Sequence, residues 1–231
     1  MQLNVRETAK ILNVSEKTVY RWIQERSLPA YRVNEQYRLH WSEVLDWATS
    51  QKIKVPAGAF PKSDSKDGLL VGLGEALQAG GIFYDVGGSD KETALQSIVA
   101  VLRLPEEVDR EFLNQVLLAR EALGSTAIGD GIAIPHVRNP VVLHVAKPTI
   151  TLCFLEKPVD FGAMDGKPVQ ALFCLISPTI RAHLHLLSRI AFALRDPELK
   201  ASILRRAPKE EILKGVRRLE EGLRKPAAEG K

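Results

Sequence analysis

His136 stands directly after Pro135, near the end of the stretch REALGSTAIGDGIAIPHVR at residues 120–138. Gly124, Gly129 and Gly131 let this backbone turn tightly and bring its N–H groups close to a ligand. Pro135 fixes its own φ, so the chain enters His136 stiffly. Ser125 and Thr126 add hydroxyl donors, and Arg120 and Arg138 bracket the segment with positive charge. A nucleophilic imidazole among N–H donors, hydroxyls and cations suits a histidine that carries a phosphoryl group. The residue types alone leave that reading open beside a solvated loop histidine.

This stretch closely resembles the active-site segment of the enzyme IIA proteins of the bacterial phosphotransferase system, in the mannitol/fructose class that includes the nitrogen-regulatory enzyme IIA. The resemblance is carried by Arg120-Glu121, by Gly124-Ser125-Thr126, by the Gly/Ile/Ala-rich run and by Pro135-His136. It continues through FGAMDGKPVQALF at 161–173 and HLHLLSRIA at 183–191. It implies that His136 takes a phosphoryl group from the phosphohistidine of HPr or a paralogue. It implies Arg120 as the cation that stabilises the transferring group, with Ser125, Thr126 and backbone N–H groups as donors to its oxygens. The family's His-Leu-x-x-Leu-Ser pattern falls on His183, which would bond the same group or orient His136. No cofactor and no metal are expected. A separate enzyme IIB acceptor, or a regulated kinase or potassium transporter, is the further partner that the resemblance implies.

Other chemistries fit poorly. His183 and His185 form a His-x-His pair, but residues two apart on a helix do not share a face and cannot easily chelate one ion. No His/Cys/carboxylate cluster has zinc spacing, and no P-loop or GxGxxG is present. On the helix TIRAHLHLLSRIAFAL, Ile180, Leu184, Leu187, Ile190, Ala191 and Leu194 form an apolar stripe. His183 borders it and can reach inward, whereas His185 lies about 200° further round and is expected on the polar face. His40 reads as a surface or packing residue, His144 as a loop residue, and Asp165 as part of a turn.

The elements that must position this site read as α/β, a three-layer domain with a mixed β-sheet over residues 68–222. A helix LLVGLGEALQ ends at Gly80-Gly81, and IFYDV follows as a strand. Ser89 with Glu92 reads as a capping box for a helix through Leu102. Pro105 reads as the first turn of the next helix, which runs to about Leu123 with Val108, Phe112, Val116 and Ala119 on one side and Arg120 in its last turn. TITLCFLE and VQALFCLIS are apolar strands separated by a turn at Asp165-Gly166, and helices near TIRAHLHLLSRIAFAL, PELKASILRR and PKEEILKGVRRLE close the domain. Residues 223–231 are read as a C-terminal tail.

Residues 1–50 read differently. VRETAKIL and SEKTVYRWIQER are two short helices joined at Asn13-Val14, with Ser15 as N-cap of the second and Val19, Trp22 and Ile23 facing inward. LPAYRVNEQYRLH reads as a hairpin turning at Asn34-Glu35, and Ser42 opens a last helix, SEVLDWATS. This order resembles the excisionase/MerR-like family of winged helix-turn-helix domains. The resemblance implies DNA contact by Lys17, Thr18, Tyr20 and Arg21 of the second helix and by Arg32 and Arg38 of the wing. The tip here is Asn34, Glu35 and Gln36 where the family usually has Gly and Arg. A homodimer on a two-fold site would compensate for the weak specificity of one module.

Residues 51–67, QKIKVPAGAFPKSDSKD, read as an exposed linker. The chain carries a net charge of +4, which permits nucleic-acid contact. Its two cysteines, Cys153 and Cys174, lie in apolar runs and read as buried, reduced thiols. With no secretory signal pattern and no apolar run of about 18 residues, the sequence predicts a cytoplasmic protein without membrane insertion. The expectation is a regulator in which phosphorylation of His136 is coupled to DNA or partner-protein binding. The alternatives are a phosphocarrier for a sugar permease and a binding protein that regulates a kinase or transporter.

Overall fold

The computed structural model describes residues 2–25, 27–33, 36–40, 43–44, 47–48, 51, 53, 70–137 and 145–224. The chain divides into two units, Met1–Lys66 and Asp67–Lys231.

In the first unit, α1 (Val5–Leu12) and α2 (Glu16–Gln24) form the two expected helices. Asn13 stops α1 in the left-handed conformation, at φ +52°. The Ser15 hydroxyl caps α2 by accepting the Thr18 N–H at 3.1 Å. Val5, Ala9, Leu12, Val19 and Ile23 are buried, and half-buried Trp22 packs its ring 4.9 Å from that of Trp47. β2 (Tyr31–Val33) and β3 (Gln36–His40) pair antiparallel as the expected hairpin. An unexpected strand, β1 (Gln2–Asn4), pairs with the other edge of β3 and makes a three-stranded sheet. Three residues are too few for a period to be read, and Asn4 also caps α1 through a capping box with Glu7. Residues 43, 44, 47 and 48 are helical, as the last helix predicts, with Val44, Trp47 and Ala48 buried. Ser42, the tip residues Asn34 and Glu35, and nearly all of the 51–67 linker lie outside the described residues.

The second unit is built on a five-stranded sheet in the order β4-β7-β8-β6-β5. Its strands are β4 (Ile82–Val86), β5 (Ala127–Gly129), β6 (Ile132–Ala133), β7 (Thr149–Val159) and β8 (Val169–Ile176). β4 with β7 and β6 with β8 are parallel, while β7 with β8 and β5 with β6 are antiparallel, so the sheet is mixed as expected. One face holds Cys153, Leu155, Leu172 and Cys174 in a core with Leu95, Ile98 and Val99 of α4 (Lys91–Val101) and Leu113 and Leu117 of α5 (Arg110–Ala122). α3 (Leu73–Gly80), α6 (Ile180–Ala193) and α7 (Pro197–Leu204) contact the long strands β7 and β8, and α8 (Lys209–Arg224) packs on α3 and α7. A Cβ on Gly80 would stand 2.2 Å from the Ile150 carbonyl oxygen, so only glycine lets the end of α3 meet β7 so closely.

Several local expectations are corrected. α3 starts at Leu73, and its first N–H groups, those of Leu73 and Gly74, are bonded by the Glu220 carboxylate from α8. A cap supplied 147 positions away carries no local signal. The capping box of α4 is Asp90 with Thr93, one position after Ser89 and Glu92, because the Asp90 carboxylate takes the Thr93 N–H at 2.9 Å. Pro105 lies in a separate turn closed by the Val108 N–H on its carbonyl, and Asp109 caps α5. The buried face of α5 is a different one. Leu113, Leu117 and Glu121 face inward, Val116 is half-buried, and Phe112 and Ala119 are exposed. Ile180, assigned to the apolar stripe of α6, is likewise exposed.

Candidate functional site

The His136 segment is the last turn of a helix followed by a hairpin, rather than a long loop. α5 ends at Ala122, and the chain turns at Asp130-Gly131 between β5 and β6 with φ of +55° and +73°. Two successive positive φ values are what a two-residue type I′ hairpin requires, and Asp-Gly is a preferred pair for it. Beyond β6 the chain stays beside β8. The Pro135 carbonyl accepts the Leu175 N–H at 3.0 Å, and His136 bridges Leu175 in parallel.

His136 is 4% exposed, which rules out the solvated-loop reading. Its Nδ1 lies 2.8 Å from the Ile134 carbonyl oxygen. A carbonyl can only accept, so Nδ1 carries the proton and the lone pair of the neutral ring is on Nε2. Arg120 approaches that nitrogen with Nε at 3.4 Å, while its Nη1 donates to the Gly124 carbonyl at 2.9 Å. The His183 ring is 5.2 Å from the His136 ring, tilted by 50°. His183 is 2% exposed, and its Nδ1 lies 3.2 Å from the buried hydroxyl of Ser177. Arg120, His136 and His183, far apart in sequence, are thus brought to one place.

The two hydroxyls expected to face a phosphoryl group are engaged in holding the segment. Ser125 Oγ donates to the Phe161 carbonyl at 2.6 Å and accepts the Ala127 N–H at 3.1 Å. Thr126 donates both its hydroxyl, at 2.6 Å, and its N–H, at 3.0 Å, to Oε2 of Glu121. Glu121 is 5% exposed, and Lys91 Nζ stands 3.3 Å from its other oxygen, an ionic contact rather than a directed hydrogen bond. The sequence reading missed Glu121. Its spacing of four from Leu117 and eight from Leu113 places it on the same helix face as those two leucines. Arg138 and His144 lie outside the described residues. Asp165 serves its turn, accepting the N–H groups of Asp130 at 2.7 Å and Lys167 at 3.2 Å.

His185 is corrected: it is 4% exposed, not on a wet face. Its Nε2 donates to the Val71 carbonyl at 3.2 Å, because the segment before α3 covers the side of α6 that amphipathic spacing left for solvent. Burial, then the charges of Arg189 and Arg181, hold its pKa below the ordinary imidazole value, against the opposing pull of the Val71 carbonyl. Cys153 and Cys174 are free and buried, and burial pushes the Cys153 thiol up to about 12. Among the described residues no three His, Cys, Asp or Glu side chains gather as a metal site, and no helix is long and apolar enough to cross a membrane.

In the first unit Lys17, Tyr20 and Arg21 are exposed on α2, and Thr18 is half-buried with its hydroxyl 2.9 Å from that of Ser15. Tyr20 meets Tyr37 of β3 edge-on at 6.1 Å. Arg38, half-buried, donates to the Gln36 side chain at 3.2 Å. Arg32 lies in β2, with its side chain outside the described residues.

Residues 75–218 match the family profile described as "Phosphoenolpyruvate-dependent sugar phosphotransferase system, EIIA 2", and residues 3–52 match "Helix-turn-helix domain". A nitrogen regulatory protein of Pseudomonas aeruginosa is 38% identical over 147 residues, which cover 62% of this chain and 93% of the relative. A nitrogen regulatory protein of Bradyrhizobium diazoefficiens is 38% identical over 113 residues, 48% of this chain and 72% of the relative. The crystal structure of the nitrogen regulatory protein IIA-Ntr of Neisseria meningitidis superposes with a TM-score of 0.54 at 30% identity, covering 62% of this chain and 98% of that one. With its α/β unit matched from 75 to 218, the chain belongs to the phosphotransferase system EIIA type 2 family, is similar to its nitrogen-regulatory proteins, and carries an excisionase-like helix-turn-helix domain before that unit.

Proposed function

We propose that His136 accepts a phosphoryl group on Nε2 from the phosphohistidine of HPr or a paralogue, and that its phosphorylation state regulates DNA or partner-protein binding. The observation that carries this reading is the pair of contacts on the two ring nitrogens. The Ile134 carbonyl holds the proton on Nδ1, and Arg120 stands at the nitrogen that keeps its lone pair. In the transfer, that lone pair forms the new P–N bond while the donor's P–N bond breaks and its electron pair returns to the donor imidazole. The guanidinium of Arg120 offsets the charge spread over the phosphoryl oxygens, with backbone N–H groups of the segment as further donors. His183 completes the site. The Ser177 hydroxyl, 3.2 Å from its Nδ1, orients the ring, and a proton carried on Nε2 would bond a phosphoryl oxygen. No step calls for a metal. Ser125 and Thr126 contribute by shaping the segment, since their hydroxyl hydrogens are already used.

The test is incubation with phosphoenolpyruvate, enzyme I and HPr. One acid-labile, base-stable phosphate per chain is expected, and His136→Ala should abolish it. Full labelling of that variant would sink the assignment.

Relatives named nitrogen regulatory proteins favour regulation over sugar transport as the purpose of the transfer. The helix-turn-helix unit favours DNA as the regulated partner, with a kinase or transporter in its place if DNA binding fails. Exposed Lys17 and Arg21 on α2 are the phosphate-contacting residues of this reading, and a homodimer would present two such helices to a two-fold site. Affinity for a selected DNA sequence should fall steeply with salt, and Lys17→Ala or Arg21→Ala should weaken binding across sequences.

A further inference from the structure

Glu121 is a buried carboxylate that the proposed transfer does not use. It lies on the inward face of α5, one residue after Arg120, with its side chain 3% exposed. Burying a carboxylate is unfavourable unless its oxygens are occupied. Both are: Oε2 takes the hydroxyl and the N–H of Thr126, and Oε1 faces the Lys91 ammonium. Lys91 also stands 5.7 Å above the ring of Phe161, whose carbonyl takes the Ser125 hydroxyl.

The connection continues to the imidazole. The Thr126 carbonyl accepts the Ile134 N–H at 3.0 Å. The Ile134 carbonyl in turn bonds Nδ1 of His136 at 2.8 Å. A displacement of Thr126 therefore moves the carbonyl that decides which nitrogen of His136 carries the proton. Orienting groups behind a reactive imidazole set its tautomer and aim.

We propose that Glu121, held by Lys91, is a positioning residue for His136. By tying Thr126 it places the Ile134 carbonyl, and so keeps the lone pair on Nε2, facing Arg120. The proposal rests on His136 as phosphoacceptor. What matters is an acceptor oxygen for the two Thr126 donors, more than the charge. Glutamine at 121 supplies that oxygen, and alanine leaves both donors unpaired and buried.

The experiment compares full-length wild type, Glu121→Ala, Glu121→Gln and Thr126→Val. The rate of phosphoryl transfer from phospho-HPr at saturating donor and the tautomer of His136 are read, the latter by nitrogen-15 NMR on histidine-labelled protein. Wild type should show the Nδ1–H form. Glu121→Ala should transfer about 100-fold more slowly and lose the single tautomer, as a misplaced reacting group does. Glu121→Gln should keep about a third or more of the rate together with the Nδ1–H form. A folded Glu121→Ala with wild-type rate and tautomer overturns the proposal. If Glu121→Ala does not fold, Thr126→Val decides, and wild-type rate and tautomer there overturn it equally. If the wild-type protein accepts no phosphate, the phosphoacceptor reading fails, and the tautomer comparison still decides whether Glu121 orients His136.

Discussion

The Arg120 guanidinium ties the end of α5 to the imidazole of His136: Nε lies 3.4 Å from Nε2 of His136, while Nη1 holds the Gly124 carbonyl at 2.9 Å. A planar fork makes both contacts at once, and a lysine ammonium is a point charge on a flexible stem. Arg120→Lys should therefore keep the fold but slow phosphoryl transfer by roughly 10–100-fold. The rate of labelling by phospho-HPr, beside an unchanged melting temperature, checks this. A wild-type rate in Arg120→Lys would show that only charge matters there.

Ser177 and His183 are both buried, and their 3.2 Å contact is the ring's link to the end of β8. Removing the hydroxyl frees the ring and its tautomer without deleting it. Ser177→Ala should slow transfer several-fold, and His183→Ala should slow it by about 10–100-fold, each removing part of the stabilisation. If Ser177→Ala costs as much as His183→Ala, the hydroxyl matters beyond orienting the ring.

Much of this architecture was legible in the sequence because it depends on local pattern. The helices of the first unit carry their own stops and caps at Asn13 and Ser15, and the long apolar runs of β7 and β8 admit little but buried strands. The site segment was legible through residue types that tolerate few other uses, Pro135-His136 above all. What was not legible depends on partners distant in the chain. The cap of α3 comes from Glu220, and the cover over His185 comes from the Val71 segment. Glu121 is hidden because a charged residue beside Leu117 on a core-facing stripe reads as solvent-exposed until Thr126 and Lys91 are seen to occupy its carboxylate. Asp130-Gly131 is a hairpin signal in the sequence, but the strands on either side of it are too short to show a period.

His185 makes stability depend on pH. Burial disfavours the protonated ring in the folded protein, so its folded pKa lies below the ordinary 6.5 of the unfolded chain. Below that pH the unfolded state binds a proton that the folded state refuses, and stability falls as pH falls; above it the contribution is constant. The urea midpoint should therefore drop more between pH 7.5 and pH 5.5 for wild type than for His185→Gln, which keeps an amide donor for the Val71 carbonyl. His185→Ala should lose about 1–3 kcal/mol at neutral pH through the cavity and the orphaned carbonyl. Parallel pH profiles for wild type and His185→Gln would show that this imidazole does not titrate on unfolding.

Phosphorylation of His136 would add close to two negative charges and three strong acceptor oxygens at one buried spot, beside Arg120 and His183. Such a change biases any equilibrium between states that differ in the surroundings of that spot. If one of those states binds DNA better, the coupling is reciprocal: phosphorylation changes DNA affinity by the same factor as DNA changes the phosphorylation equilibrium. A coupling of about 1–3 kcal/mol, roughly 5–150-fold in affinity, is typical. Affinity for a selected DNA site should be measured on unmodified and phosphorylated full-length protein at one salt concentration. His136→Ala, taken through the same phosphorylation reaction, controls for anything other than the modification. The expected result is a shift with the wild-type protein and none with His136→Ala. Equal affinities in both forms of the wild type would remove DNA from the regulatory circuit, leaving a phosphoryl carrier attached to an independent DNA-binding unit.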